Sequence, residues 1–252
     1  MSRVLVCDSS YEGIMSALYV AFENYKDVEH ILPQKSYTPD FFSVYEEVDN
    51  DAYHSEIFSG RICRQISPAV RSMVFKASLH FCADRGDIIF EFLKLGFEVG
   101  KEVSGCLYDS RVTDFMDLVR KVENEAALFK GFVRFSELSG KVLYSKIEPK
   151  CDVLVMISAH FEKRFPGENF IIYDAVRDYS VVHPAGKKSF LMYGGDPATD
   201  SKSPAFKDGY ENLWRTFFKA VTIEERRNIR CQNSNIPKWY RKNMPEFIEK
   251  IN

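Results

Sequence analysis

The hydrophobic period of this chain changes once, near Phe129, and that change limits the folds open to it. Upstream, Val112, Phe115, Val119, Val122, Ala126 and Phe129 recur at the spacing of one helical face. Downstream, "FKGFVRFSEL" and "KVLYSKIEP" alternate with the period of two expected of strands, joined by the turn "SG" as a hairpin. The run "DVLVMISAHFEKRF" then reads as a helix capped by Asp152 and closed by "PGEN". Three further strands are expected in "NFIIYDAV", "YSVVHP" and "KSFLMYG". Helices followed by strands specify an α+β fold, with a mainly antiparallel sheet and packed helices, rather than a doubly wound parallel sheet.

The boundaries follow from the same pattern. A mostly helical part is expected over residues 1–128, its helical block at 51–128, then a sheet part over 129–193 and a basic helical tail over 205–252. Together they are expected to form one compact domain, residues 1–252, because 252 residues at 45% hydrophobic and 14% aromatic can bury a sizeable core. At the start, "VLVCD" is strand-like, and Ser9 and Glu12 stand at capping-box spacing before an apolar helical face of Ile14, Leu18, Ala21, Phe22 and Tyr25. Residues 31–50 read as extended and then acidic. Ser67 and Pro68 mark a helix start, and Gly100 a helix stop.

Charge is unevenly distributed behind the net value of -2. Residues 37–59 hold six acids and no Lys or Arg, whereas residues 214–242 hold eight basic residues against two acids. Such a basic segment is either a surface for a polyanion or a solvated helix face. The six cysteines are scattered, with no CxxC pair, so neither a metal site nor a bound cofactor is expected. No run approaches the ~18 apolar residues of a membrane helix, and the first residues lack a secretory apolar core. Free thiols in a reducing cytoplasm, with no membrane contact, are the expectation.

One stretch concentrates candidate chemistry: "HFEKRFPGENFIIYDAVRDYSVVH", residues 160–183. His160, Arg164, Asp174 and Arg177 form a candidate polar site there. Basic groups at a helix end also suit its partial negative charge, and Asp174 and Arg177 are spaced for a salt bridge across a turn. Arg134, Lys146 and Lys150 alternate with apolar neighbours on the expected hairpin, as on a sheet that holds a nucleic-acid strand or on an ordinary solvated face. In the tail, Arg226, Arg227, Arg230, Lys238, Arg241 and Lys242 are candidate phosphate contacts and Trp239 or Tyr240 a candidate stacking group. Trp239 buried against the helix of Trp214 is the alternative. No nucleophile elbow, HExxH or phosphate loop is present.

The segments "EAALFKGFVRF", "IEPKCDVLVMISAHFEKRFPGENFIIYD", "LWRTFFKAVTIEERRN" and "IPKWYRKNMPEF" resemble a bacterial family of DNA repair or DNA metabolism proteins. That family is a domain of unknown function, encoded beside a radical-SAM protein similar to spore photoproduct lyase, or fused to uracil-DNA-glycosylase-like domains. The likeness extends to the opening "VLVCDSSYEGIMSALYVAFE" and so over nearly the whole chain. Two departures stand out: Ala127 occupies a position where the family usually has His, and "NSNIPKWY" replaces its usual Met-Pro element. The resemblance implies a DNA-binding accessory protein working with a radical-SAM partner. An enzyme acting on a damaged base or nucleotide through His160, Asp174 and Arg177, or a protein-binding module without DNA contact, remain the rival readings.

Overall fold

The computed structural model describes residues 2–23, 27–33, 42–138, 141–200, 209–226 and 228–247. The chain divides into two compact units, Met1–Asn124 and Glu125–Asn252.

In the first unit, β1 (Ser2–Cys7) leads into α1 (Tyr11–Glu23), and β2 (Val28–Leu32) and β3 (Ser43–Val48) flank β1 in an all-parallel sheet of order β2-β1-β3. Capping at α1 differs from the expectation by one residue. Ser10 Oγ accepts from Gly13 N at 3.1 Å, while Asp8 Oδ1 turns the chain into the helix by accepting from Ser10 N at 2.9 Å. Ser9 is left outside the cap because the Asp8 turn uses it as a spacer.

Helices α2 (Ala52–Gln65), α3 (Pro68–Ser78), α4 (Arg85–Val99) and α5 (Ser110–Phe132) complete the helical block. Ser67 Oγ caps α3 through Val70 N with Pro68 at the first helical position, and α4 stops at Gly100, whose φ of 75° suits glycine. Leu5, Ile14, Leu18, Ile31, Phe58 and Phe92 are fully buried between sheet and helices. Phe92 of α4 stacks on Phe115 of α5 at 3.7 Å between ring centroids.

The start of α4 is held by three consecutive residues, the last two of them against β2. Arg85, 7% exposed, donates to the carbonyls of Ser78, Cys82 and Ser9 at 3.1, 2.8 and 3.0 Å. Asp87 accepts from Ile31 N at 2.6 Å and meets His30 Nδ1 at 2.9 Å, and its burial raises its pKa despite those bonds. Between them Gly86 lets the helix approach so closely that an added Cβ would stand 2.2 Å from the Ile31 carbonyl oxygen.

The second unit is built on a five-stranded sheet of order β4-β5-β6-β7-β8: β4 (Ser136–Leu138), β5 (Val142–Ile147), β6 (Asn169–Asp174), β7 (Tyr179–His183) and β8 (Phe190–Tyr193). Three of its four pairings are antiparallel. The exception is β5 with β6, parallel because the chain crosses between them through α6 (Leu154–Arg164). The fold class is therefore α+β, with a helical block and a mixed sheet.

Two local expectations change here. The strand pattern begins at Ser136 rather than Phe129, because α5 continues to Phe132 and keeps Phe129 on its buried face. Asp152 does not cap α6; its carboxylate accepts the Tyr179 hydroxyl instead, and Val153 occupies the cap without a side-chain bond. The expected turn "SG" lies outside the described residues. The C-terminal part contains α7 (Pro197–Asp200), α8 (Gly209–Val221) and α9 (Ile229–Asn235), then short 3-10 turns.

Candidate nucleic-acid interface

The charged end of β6 is a joint between backbone segments. Asp174 is fully buried; its carboxylate accepts from Val176 N at 2.8 Å and Arg177 N at 3.3 Å and pairs with Arg177 Nη1 at 3.0 Å. The same guanidinium donates to the Pro149 carbonyl at 3.2 Å and to that of Lys150. Burial pushes the Asp174 carboxyl upward, and the Arg177 charge opposes the shift. Asp174 and Arg177 are thus brought together across a turn. His160 and Arg164 stand at the opposite end of α6 from the carbonyls that Arg177 holds, His160 edge-on to Phe161 and Arg164 5.5 Å from the Phe165 ring.

A second joint had no local signature in the sequence. Glu125 of α5 is 5% exposed and takes three donors: Lys150 N at 3.0 Å, Cys151 N at 2.7 Å and the Tyr240 hydroxyl at 3.0 Å. The Tyr240 ring packs edge-on against Phe129 with centroids 5.2 Å apart. Burial, and then the charge of Glu125, raise the phenol's pKa. This carboxylate anchors the C-terminal segment to α5, and the side chain just before Tyr240 faces outward.

That side chain is Trp239. It is 41% exposed, its indole N–H donates to the Glu148 carbonyl at 2.8 Å, and two ammonium groups approach its ring: Lys242 at 4.1 Å and Lys150 at 5.7 Å from the centroid. Glu148 pairs with Lys242 at 2.8 Å and so holds it beside the indole. Two residues before Glu148, on β5, Lys146 lies 5.6 Å from the Tyr173 ring and 3.4 Å from Asp196. The cleft alongside, bounded by Phe132, Arg134 and Asn243, has a volume of about 10 Å³, room for a single water.

The other basic residues fall into two groups. Arg134 is spent on Glu246 at 2.9 Å and the Gly131 carbonyl at 2.7 Å, and Glu246 also accepts from Trp214 Nε1 at 3.1 Å. Arg241 is spent on the Ile236 carbonyl and Asn233, both at 2.9 Å, and lies over the Phe247 ring. These two guanidiniums hold the tail. Arg226, Arg230 and Lys238 face solvent, and Arg227 lies outside the described residues. Ala127, where the sequence resemblance implies a histidine, is exposed on α5.

The charge of the two units differs in sign. The first holds 13 Lys and Arg against 20 Asp and Glu, the second 21 against 16. Among the described residues no three His, Cys, Asp or Glu side chains gather as metal ligands, and no helix is long and apolar enough to cross a membrane. A family model described as domain of unknown function DUF4130 matches residues 83–246. No curated protein matches the chain.

Proposed function

The chain belongs to the DUF4130 family, and on that premise we propose that it is an accessory protein of DNA repair or DNA metabolism whose second unit binds a single nucleic-acid strand. The radical-SAM partner implied by the sequence resemblance is part of the same proposal. The observation that carries the reading is the Trp239 platform: an exposed indole, fixed by its N–H bond to Glu148, with Lys150 and Lys242 beside its ring. A fixed ring gives up little rotamer freedom when a base stacks on it, and such stacking contributes about 1–3 kcal/mol per base. Lys150 and Lys238, exposed and in no ion pair among the described residues, suit the phosphates on either side of that base.

The proposal assigns Asp174 and Arg177 a structural part, since both are engaged by backbone partners and by each other. The test is fluorescence anisotropy with labelled single- and double-stranded oligonucleotides over a salt series. Trp239→Ala is expected to weaken single-strand binding by about five-fold or more, in line with the loss of about 1–3 kcal/mol from one stacked base. Lys150→Ala/Lys238→Ala is expected to reduce the logarithmic salt slope by about 1.4, two phosphates at ~0.7 each. Absence of binding by the wild type to either form would overturn the DNA reading and leave the protein-binding module. Co-purification with the radical-SAM protein tests the partner separately.

A further inference from the structure

Residues Lys238–Asn243 form a 3-10 turn whose inner side is pinned, since Glu125 holds the Tyr240 hydroxyl and Met244, just beyond the turn, is buried. Three residues complete one 3-10 turn, so side chains at i and i+3 stand one above the other. Trp239 and Lys242 have that spacing and share the exposed side. The Lys242 ammonium accordingly lies over the indole, 4.1 Å from the ring centroid.

One residue holds both the ring and its cover, through different atoms. The backbone carbonyl of Glu148 accepts the indole N–H at 2.8 Å, and its carboxylate takes Lys242 Nζ at 2.8 Å. Lys150 stands farther out, 5.7 Å from the centroid, with no acid beside it among the described residues. Stacked rings need centroids about 4.5–7 Å apart with their faces in contact, and an ammonium at 4.1 Å fills the interval between them. A base therefore cannot stack on the face that Lys242 covers until Lys242 has left it.

We infer that Lys242 is an autoinhibitory latch on the Trp239 platform, kept closed by the Glu148 carboxylate and opened by an unstacked base that takes its place on the ring. The inference rests on the nucleic-acid reading of that platform and deepens it, because it supplies a preference for single strands over duplex. Duplex phosphates attract Lys150 and Lys238 but bring no free base face to replace the ammonium, so the latch stays closed. A single strand brings one. An exposed ion pair and an exposed cation–π contact are each weak, and together they oppose binding by about three-fold or more. Stacking of a base outweighs that, so the latch lowers affinity without abolishing it.

The test is the paired substitution Glu148→Gln/Lys242→Ala in the full-length chain. It removes one charge of each sign, so the net charge is unchanged, and it keeps the Glu148 carbonyl that holds the indole. In fluorescence anisotropy the double variant is expected to bind a labelled single-stranded oligonucleotide about three-fold or more tightly than the wild type, and a duplex of the same sequence equally well. The same pair in a Trp239→Ala background should bring no gain, because no ring is left to uncover. Trp214 and Trp239 are the two tryptophans, so a Trp214→Phe background isolates the platform. There, without any nucleic acid, acrylamide quenching of Trp239 should rise on Glu148→Gln/Lys242→Ala. Should the double variant fail to fold, Lys242→Ala alone is expected to raise the ratio of single-strand to duplex affinity. A wild type that binds single strands beside a double variant that binds them no better would overturn the latch, as would an equal gain in the Trp239→Ala background or unchanged quenching. Absence of binding by both the wild type and the double variant would instead overturn the nucleic-acid reading on which the latch rests.

Discussion

The Tyr240 hydroxyl donates to Oε1 of Glu125 at 3.0 Å, joining residues 115 positions apart. Tyr240→Phe keeps the ring against Phe129 and removes only a bond to a charged acceptor, a loss of about 1.5–3 kcal/mol. Glu125→Ala also strips the acceptor from Lys150 N and Cys151 N, at about 1–3 kcal/mol for each group left unpaired. Denaturant unfolding should rank Glu125→Ala well below Tyr240→Phe. The double variant should cost less than the sum, because both changes remove the same bond.

Gly86 and Gly131 make a matched pair of opposite sign. Gly86→Ala drives a methyl group into the Ile31 carbonyl, and α4 must shift away from β2 at a cost of about 1–3 kcal/mol. Gly131→Ala, near the end of α5 with nothing within 4 Å of the new carbon, should gain up to about 1 kcal/mol from helix propensity. Thermal melts of the two variants should move in opposite directions.

Glu162 supplies a pH dependence with a definite sign. Its carboxyl is held below the ordinary range by the Ser189 hydroxyl and then by the Ser189 backbone N–H, which donates at 2.9 Å. A carboxyl lowered on folding adds stability above its unfolded value, near 4.5, and that stability is lost as pH falls through the folded value. Ser189→Ala should move the Glu162 titration, followed by carbon NMR, part of the way back toward 4.5. The remaining backbone bond prevents a complete return.

Lys238 and Arg241 are both basic residues of the tail, yet their variants should separate cleanly. Arg241→Ala releases bonds to Ile236 and Asn233 and should lower the melting temperature. Lys238→Ala should leave the melt unchanged and, if Lys238 faces a phosphate, reduce the single-strand salt slope by about 0.7.

Features written in neighbouring residues are legible in the sequence itself. The change of period, the Ser67 and Pro68 start, the Gly100 stop and the spacing of Asp174 with Arg177 all depend on contacts within one or two turns. Where two adjacent residues could serve, as with Ser9 and Ser10, the Asp8 turn makes the choice. Asp152 has helix-capping chemistry, but Tyr179, 27 residues away, competes for its carboxylate and wins. Glu125 is hidden for the same reason, and the two orientations read for Trp239 are separated only by Glu148, 91 residues away, whose carbonyl takes the indole N–H. The parallel pairing of β5 and β6 likewise follows from the α6 crossover, not from strand residues themselves.

The clamp at the start of α4 also bears on how genes of this family can be cut and rejoined. The matched segment begins at residue 83, just before Arg85, Gly86 and Asp87, but their partners Ser9, Ile31 and Ser78 are all encoded upstream. A recombination event that transplanted residues 83–246 alone would deliver a guanidinium without its Ser9, Ser78 and Cys82 acceptors and a helix whose apolar side had lost its sheet. A fragment cut at residue 83 is therefore expected to lose solubility before it loses any chemistry of the second unit.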